Sequence, residues 1–166
     1  MHPDLSIKSA TQADIPVIEA LALATWSHTY SSILSEEQID YMFGVIYTYE
    51  ALQQQMQAGQ RFFILLEEER PVGFASYSEK DKIEKVFKLN KIYLLPACQG
   101  KGYGRILIRA VEEEVKKEGA AVLDLNVNRY NKAKEFYERC GYHVHQQEDI
   151  AIGPYWMNDY VMRKKL

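Results

Sequence analysis

"KIYLLPACQGKGYGRILI", residues 91–108, joins an apolar run to a helical pattern through three glycines at alternate positions, Gly100, Gly102 and Gly104. Without Cβ atoms, the amides of such a loop can approach a ligand closely. Where the loop opens a helix, free N–H groups and the helix dipole favour an anion, typically a phosphate. A tight strand-to-helix turn without a ligand needs one glycine. Three of them, alternating with Lys101, Tyr103 and Arg105, point to a pyrophosphate cradle. A nucleotide-hydrolase loop needs Gly-Lys-Ser/Thr, and here Gly102 follows Lys101. A dinucleotide fingerprint needs a third glycine at position 105 or 107, and those positions hold Arg105 and Leu107.

Outward from the loop, "VFKLNKIYLL" (86–95) reads as a strand before it, and "GYGRILIRAVEEEVKKEG" (102–119) as a helix after it. That helix places Tyr103, Ile106, Leu107, Ala110, Val111 and Val115 on one side and stops at Gly119. Downstream, "AAVLDLNV" (120–127) is a strand and "NKAKEFYERCG" (131–141) a helix ending at Gly141. "YHVHQQ" (142–147) and "DYVMRKKL" (159–166) are the last two strands. Upstream, "RFFILLEEER" (61–70) and "PVGFASYSEK" (71–80) form a hairpin. Before it come a short strand, "LSIKSA" (5–10), and three helices. The first carries Pro16 in its opening turn, and the second offers Ser35 and Gln38 as a capping box. The third ends at Gly59. The order is that of an α/β protein with a mixed sheet of about six to seven strands flanked by helices, in one domain over residues 1–166.

Bulk features narrow the class. No apolar run approaches the length that spans a bilayer, and the N-terminus lacks the basic-then-apolar layout of a signal peptide. Two cysteines, Cys98 and Cys140, make neither a metal spacing nor a disulfide framework, so a cytoplasmic, reduced chain without a metal is expected. A net charge of −3 gives no sign of a nucleic-acid partner. Its distribution says more: residues 1–60 hold seven acids and one base, while residues 61–166 hold 19 bases and 16 acids. Either these are solvated surfaces, or one part meets a cation and the other an anion.

The pattern Gln99-Gly100-Lys101-Gly102-Tyr103-Gly104 resembles the Q/R-x-x-G-x-G/A signature of the GNAT superfamily of N-acetyltransferases. "LNVNRYNKAKEFYERCGY" (125–142) is similar to its second conserved segment, in which a helix carries Phe-Tyr and ends in Gly-aromatic. The likeness covers residues 85–145, and the element order extends it along the chain. It implies a GNAT fold and acetyl-CoA as acetyl donor, with the loop backbone from Gln99 through Gly100, Lys101, Gly102, Tyr103 and Gly104 to Arg105 on the pyrophosphate. It places the backbone of Ile92, Tyr93 and Leu94 along the pantetheine arm, which joins the sheet edge as a strand would. Lys132 and Lys134 join Lys101 and Arg105 as candidate partners of the 3′-phosphate.

Spacing alone makes Tyr137 a core residue beside Ala133, Phe136 and Cys140; the resemblance makes it the donor of a proton to the departing thiolate. Two positions depart from the family pattern. Tyr130 stands where an asparagine is common, which leaves Asn131 as a cofactor contact or a helix cap. Lys88 stands where many members carry a basic glutamate, so Glu79, Glu84, Tyr77 and His28 are the alternatives for that role. This second departure keeps open a non-catalytic acyl-CoA sensor.

For the acceptor, the family's N-terminal helices form the pocket. "TWSHTYSSILSEEQIDYM" (25–42) supplies Trp26, His28, Tyr30 and Glu37, with Tyr41, Glu36 and Asp40 nearby. Aromatic faces with carboxylates suit a cationic amine, and the segment resembles bacterial spermidine/spermine acetyltransferases. The same residues also read as core aromatics and helix N-terminal charges. The expectation is acetyl transfer to a small primary amine, a polyamine being one candidate, by direct attack in a ternary complex. A protein N-terminal or lysine acetyltransferase shares that chemistry, and the C-terminal strands leave room for a homodimer.

Overall fold

The computed structural model describes residues 4–166; the first three residues of the N-terminal stretch judged for a leader lie outside it. The elements are β1 (Leu5–Ser9), a 3-10 turn, α1 (Ile15–Tyr30), α2 (Glu36–Ile46), α3 (Tyr49–Gln57), β2 (Arg61–Glu67), β3 (Arg70–Asp81), β4 (Val86–Leu94), α4 (Tyr103–Lys117), β5 (Val122–Asn128), α5 (Ala133–Arg139), β6 (His143–Ile152) and β7 (Tyr155–Lys165). They build a seven-stranded sheet of order β1-β2-β3-β4-β5-β7-β6. Among the described strands only β4 and β5 pair in parallel. No described helix is long and apolar enough to cross a membrane.

The sheet has a helical layer on each face, which is why its inner strands read as continuous apolar runs. In β2, Phe62 and Ile64 face α1–α3 with Ile15, Ile18, Ala22 and Trp26. Phe63 and Leu65 face the other way, toward Leu107, Val111 and Tyr137 of α4 and α5. On α4 the buried stripe is Tyr103, Leu107, Ile108, Val111 and Val115. Ile106, expected on that stripe, is instead 42% exposed, because the turn angle carries it one position off the seam that Ile108 fills.

Local chemistry sets the element ends. Pro16 sits in the first turn of α1, and Thr11 N–H donates to Asp14 Oδ2 at 2.8 Å. The capping box expected on α2 is only half made. Ser35 Oγ accepts from Gln38 N–H at 3.1 Å, but the Gln38 side chain donates to the Trp156 carbonyl at 2.8 Å. That contact ties α2 to β7.

One buried charge holds the parallel junction. Asp124 of β5 is 0% exposed and accepts from Arg163 Nε at 2.7 Å, Arg163 Nη2 at 3.0 Å and Lys80 Nζ at 3.0 Å. Burial pushes its pKa up, but the Arg163 and Lys80 bonds outweigh burial and hold it below 3.8. Both partners are about one-third exposed and can re-solvate. Asp124→Asn should therefore cost about 1–2 kcal/mol at pH 7, less than removal of a fully buried partner. A depressed carboxyl pKa contributes stability above its unfolded value and loses it as pH falls through the folded one. Urea titrations should thus show the full deficit at pH 7 and a shrinking one below pH 3.8.

The junction then opens. β4 and β5 pair only from Val86↔Val122 to Leu89↔Leu125. Beyond that, β4 stays with β3 as far as Leu94↔Gly73, and β5 stays with β7 as far as Asn128↔Asp159. Asn90 bulges out of the β3–β4 register at the point of divergence. Gly73 lets the far end of β4 close on β3: a Cβ there would lie 2.7 Å from the Tyr93 carbonyl oxygen.

Candidate active site

A cavity of about 820 Å³ fills the split between β4 and β5 and runs to the glycine loop. Its walls come from β4, the loop, the first turn of α4, β5, the start of α5 and the end of α1.

The loop end is built for an anion. Gly100 and Gly102 take φ of +79° and +83°, the left-handed region in which glycine is unstrained. Gly102 is the N-cap of α4 and no side chain caps the helix, so its first amides are free for a ligand. Gly104 lets α4 close on α5: a Cβ there would lie 3.1 Å from Phe136 Cζ. Gln99, Gly100, Gly102, Tyr103, Gly104 and Arg105 all line the cavity. Lys101 does not; it is exposed, with Nζ 5.8 Å from the centre of the Tyr103 ring. The Tyr103 side chain turns into the core and donates to Glu67, so only its backbone serves the loop. Arg105 Nη2 donates to the Arg139 carbonyl at 3.4 Å, and Lys132 and Arg139 share the same wall. Lys134 pairs instead with Glu138 at 3.3 Å. Asn131 Oδ1 accepts from Ala133 N–H at 2.9 Å just ahead of α5, whose N-cap is Lys132, and the residue lines the cavity.

Along the split, Ile92, Tyr93 and Leu94 present a strand edge that β5 has left. Uncapped amides, an open strand edge and basic side chains at the loop end suit the three parts of acetyl-CoA, namely pyrophosphate, pantetheine arm and 3′-phosphate.

At the inner end, tyrosines converge. Tyr137 is 8% exposed, lines the cavity and makes no side-chain hydrogen bond among the described residues. Burial, then Tyr93 and Cys140, raise its pKa far above 10. The hydroxyls of Tyr30 and Tyr93 lie 3.4 Å apart on the same wall. Lys91 also reaches the wall, but Nζ turns away to Gln55 Oε1 at 2.6 Å and Gln60 Oε1 at 3.0 Å. Burial, then Lys88, lowers its pKa to about 7.

The acceptor side differs from the sequence reading. His28 and Tyr30 line the cavity. Trp26 does not: it is 3% exposed in the core under α1, and Nε1 donates to Tyr47 Oη at 3.0 Å. A residue four positions before Tyr30 shares its buried face, and the larger ring fills the core. Glu37 is exposed on the first turn of α2, away from the wall. Tyr41 packs at a tilt against Tyr155, with ring centres 5.4 Å apart. Among the alternative bases, Glu79 and Glu84 are exposed outside the cavity and Tyr77 is in the core; Lys88 does not line the cavity either. Polar residues that sequence reading passed over stand there instead: Asn90, and Asn126, whose Nδ2 donates to Glu148 Oε1 at 3.1 Å and Asp159 Oδ2 at 3.2 Å. An unbroken alternation in "LDLNVN" shows which residues share a face, but not that this face opens on a cavity. Among the described residues no cluster of three His, Cys, Asp or Glu is placed to hold a metal.

Comparison with known proteins agrees with this geometry. A spermidine N(1)-acetyltransferase of Thermoplasma acidophilum is 26% identical over 97% of each chain. An uncharacterised N-acetyltransferase of Mycobacterium bovis is 33% identical over 98 residues, 58% of this chain and 62% of that protein's length. Among solved structures, the PaiA N-acetyltransferase of Thermoplasma acidophilum in complex with coenzyme A superposes with a TM-score of 0.83 at 25% identity, covering 98% of this chain and 99% of that one. The acetyltransferase (GNAT) domain family matches residues 30–164, most of the chain. The split sheet and its glycine loop are thus those of a GNAT acetyltransferase domain, and the chain belongs to that family.

Proposed function

We propose that this protein transfers an acetyl group from acetyl-CoA to a small cationic amine, with a polyamine as the leading acceptor. The observation that carries the reading is Tyr137: a buried hydroxyl without a partner among the described residues, on the wall of a cavity that begins in an anion cradle. When bound, acetyl-CoA supplies the activated acetyl thioester.

The chain's residues supply the rest. The amides after Gly102 meet the pyrophosphate charge, and the free edge of Ile92–Leu94 aligns the arm. An arm held between β4 and β5 would exclude water, which would strengthen every polar contact inside. Tyr137 holds its proton through the working pH range and gives it to sulfur as the C–S bond breaks. Neither cysteine is needed as an acyl carrier, so the amine attacks directly. Support for a polyamine comes from the 26% identity to a spermidine acetyltransferase. The proposal places the reaction in the cytoplasm, within one domain, with a small molecule rather than a nucleic acid as partner.

Thiol release from acetyl-CoA, measured with spermidine, spermine, amino acids and peptide N-termini, tests the reading. Turnover is expected with a polyamine and not with the peptides. Tight acetyl-CoA binding without turnover on any amine would identify a sensor instead.

A further inference from the structure

Asp159 of β7 is 5% exposed, and Oδ1 is the buried side-chain atom left without a hydrogen-bond partner among the described residues. A buried, unpaired carboxylate oxygen is costly, and folds keep such atoms where something else meets them. Its surroundings show what that is. Oδ2 accepts from Asn126 Nδ2, and Asn126 lines the cavity, so the carboxylate stands one hydrogen bond behind the acceptor wall. The titratable groups facing it are Lys88 and Tyr93 from β4, Glu148 from β6 and Arg129 beyond β5. None neutralises it. Arg129 spends its guanidinium on the Asp159 carbonyl at 3.2 Å and on Asp149 Oδ1 at 2.7 Å. Lys88 forms no ion pair among the described residues. Burial raises the Asp159 pKa against the opposing pull of Asn126 and Lys88.

The geometry points to Asp159 as a positioning residue: its charge, held one hydrogen bond behind Asn126, draws the acceptor's ammonium group to the Asn126 wall of the cavity. It rests on the acetyltransferase reading above. The step balances. The ammonium held there gives one proton to solvent and becomes a free amine. The amine nitrogen bonds to the thioester carbonyl carbon, and the C–S bond breaks. Nitrogen then loses a second proton, which restores the one Tyr137 gives to sulfur. Amide, free CoA thiol and one net proton result.

Asp159→Asn keeps the shape and can still accept from Asn126. It also removes a buried charge, so its melting temperature should equal or exceed that of the wild type, which loss of a scaffold contact would not produce. Its acetyl-CoA dissociation constant should stay within about twofold, since no cofactor contact is touched. Spermidine affinity for the protein–CoA complex, measured by calorimetry, should fall about tenfold, and kcat/KM for spermidine about 100-fold. A second, variant-free readout is the wild-type pH profile. Its acid limb should lie above the ordinary carboxylate value of 3.8, because protonated Asp159 has no charge with which to draw a cation. That limb should vanish in Asp159→Asn. A variant matching active wild type in binding and turnover, one that loses stability and both ligands together, or a wild type without the limb overturns this inference alone. A wild type that neither binds nor acetylates any amine overturns the acetyltransferase reading and this inference with it.

Discussion

Tyr137→Phe is expected to lower kcat for acetyl transfer about 100-fold while leaving acetyl-CoA binding within about twofold. The ring is held by its neighbours: Phe136 lies 5.3 Å and Tyr142 6.3 Å away, centre to centre. Phenylalanine preserves both contacts. Its hydroxyl makes no side-chain hydrogen bond among the described residues, so removing it should change stability by less than about 0.5 kcal/mol. What is lost is the proton for the departing sulfur. A thiolate expelled into a dry pocket is more basic than in water, which matches it to a phenol whose own pKa burial has raised. The 100-fold loss corresponds to about 2.7 kcal/mol of transition-state stabilisation. Steady-state kinetics with a polyamine and calorimetry with acetyl-CoA separate the two effects. Wild-type turnover in the variant would return Tyr137 to the core role that spacing alone assigns it.

The cofactor half of this site is legible in the sequence because short-range chemistry fixes it. Gly100, Gly102 and Gly104 are needed where the backbone turns left-handed or two helices touch, and such needs appear as residue types at fixed offsets. The place of Tyr137 on the cavity wall follows from a local motif in the same way. The acceptor half is assembled from distant segments. Asp159 reaches Asn126 only because β7 inserts between β5 and β6, a strand order that no local pattern reveals. For the same reason the acidic residues of 25–42 do not locate the cavity: Glu37 sits on α2, outside its lining, with the side chain exposed. The carboxylates close to the cavity are Glu148 and Asp159, from the part of the chain with a basic balance. The charge asymmetry between the two parts therefore does not mark the acceptor pocket by itself. The expected helix-capping contact of Gln38 failed on the same ground, since a long-range partner, the Trp156 carbonyl, outcompeted the local one.

Gly102→Val should raise the KM for acetyl-CoA about 100-fold, an effect on binding rather than on chemistry. Gly102 has φ of +83°, and a β-branched residue there is forced toward ordinary dihedrals. The site of the missing Cβ is open, with nothing within 4 Å, so the penalty is torsional and not a clash. Relieving it rotates the peptide planes that aim the first amides of α4. Their combined contact with two phosphates is worth several hydrogen bonds to charged groups, at about 1.5–3 kcal/mol each. Misaligning one or two accounts for a 100-fold loss. The control is Gly119→Val at the other end of α4. Gly119 has φ of +91° and equally open surroundings, so the torsional cost to stability is comparable. It lies outside the cavity, so acetyl-CoA binding should be unchanged. If both variants lost stability and cofactor affinity in parallel, Gly102 would matter only for folding α4. If Gly102→Val alone lost affinity at matched stability, the loop backbone would be the element that holds the donor.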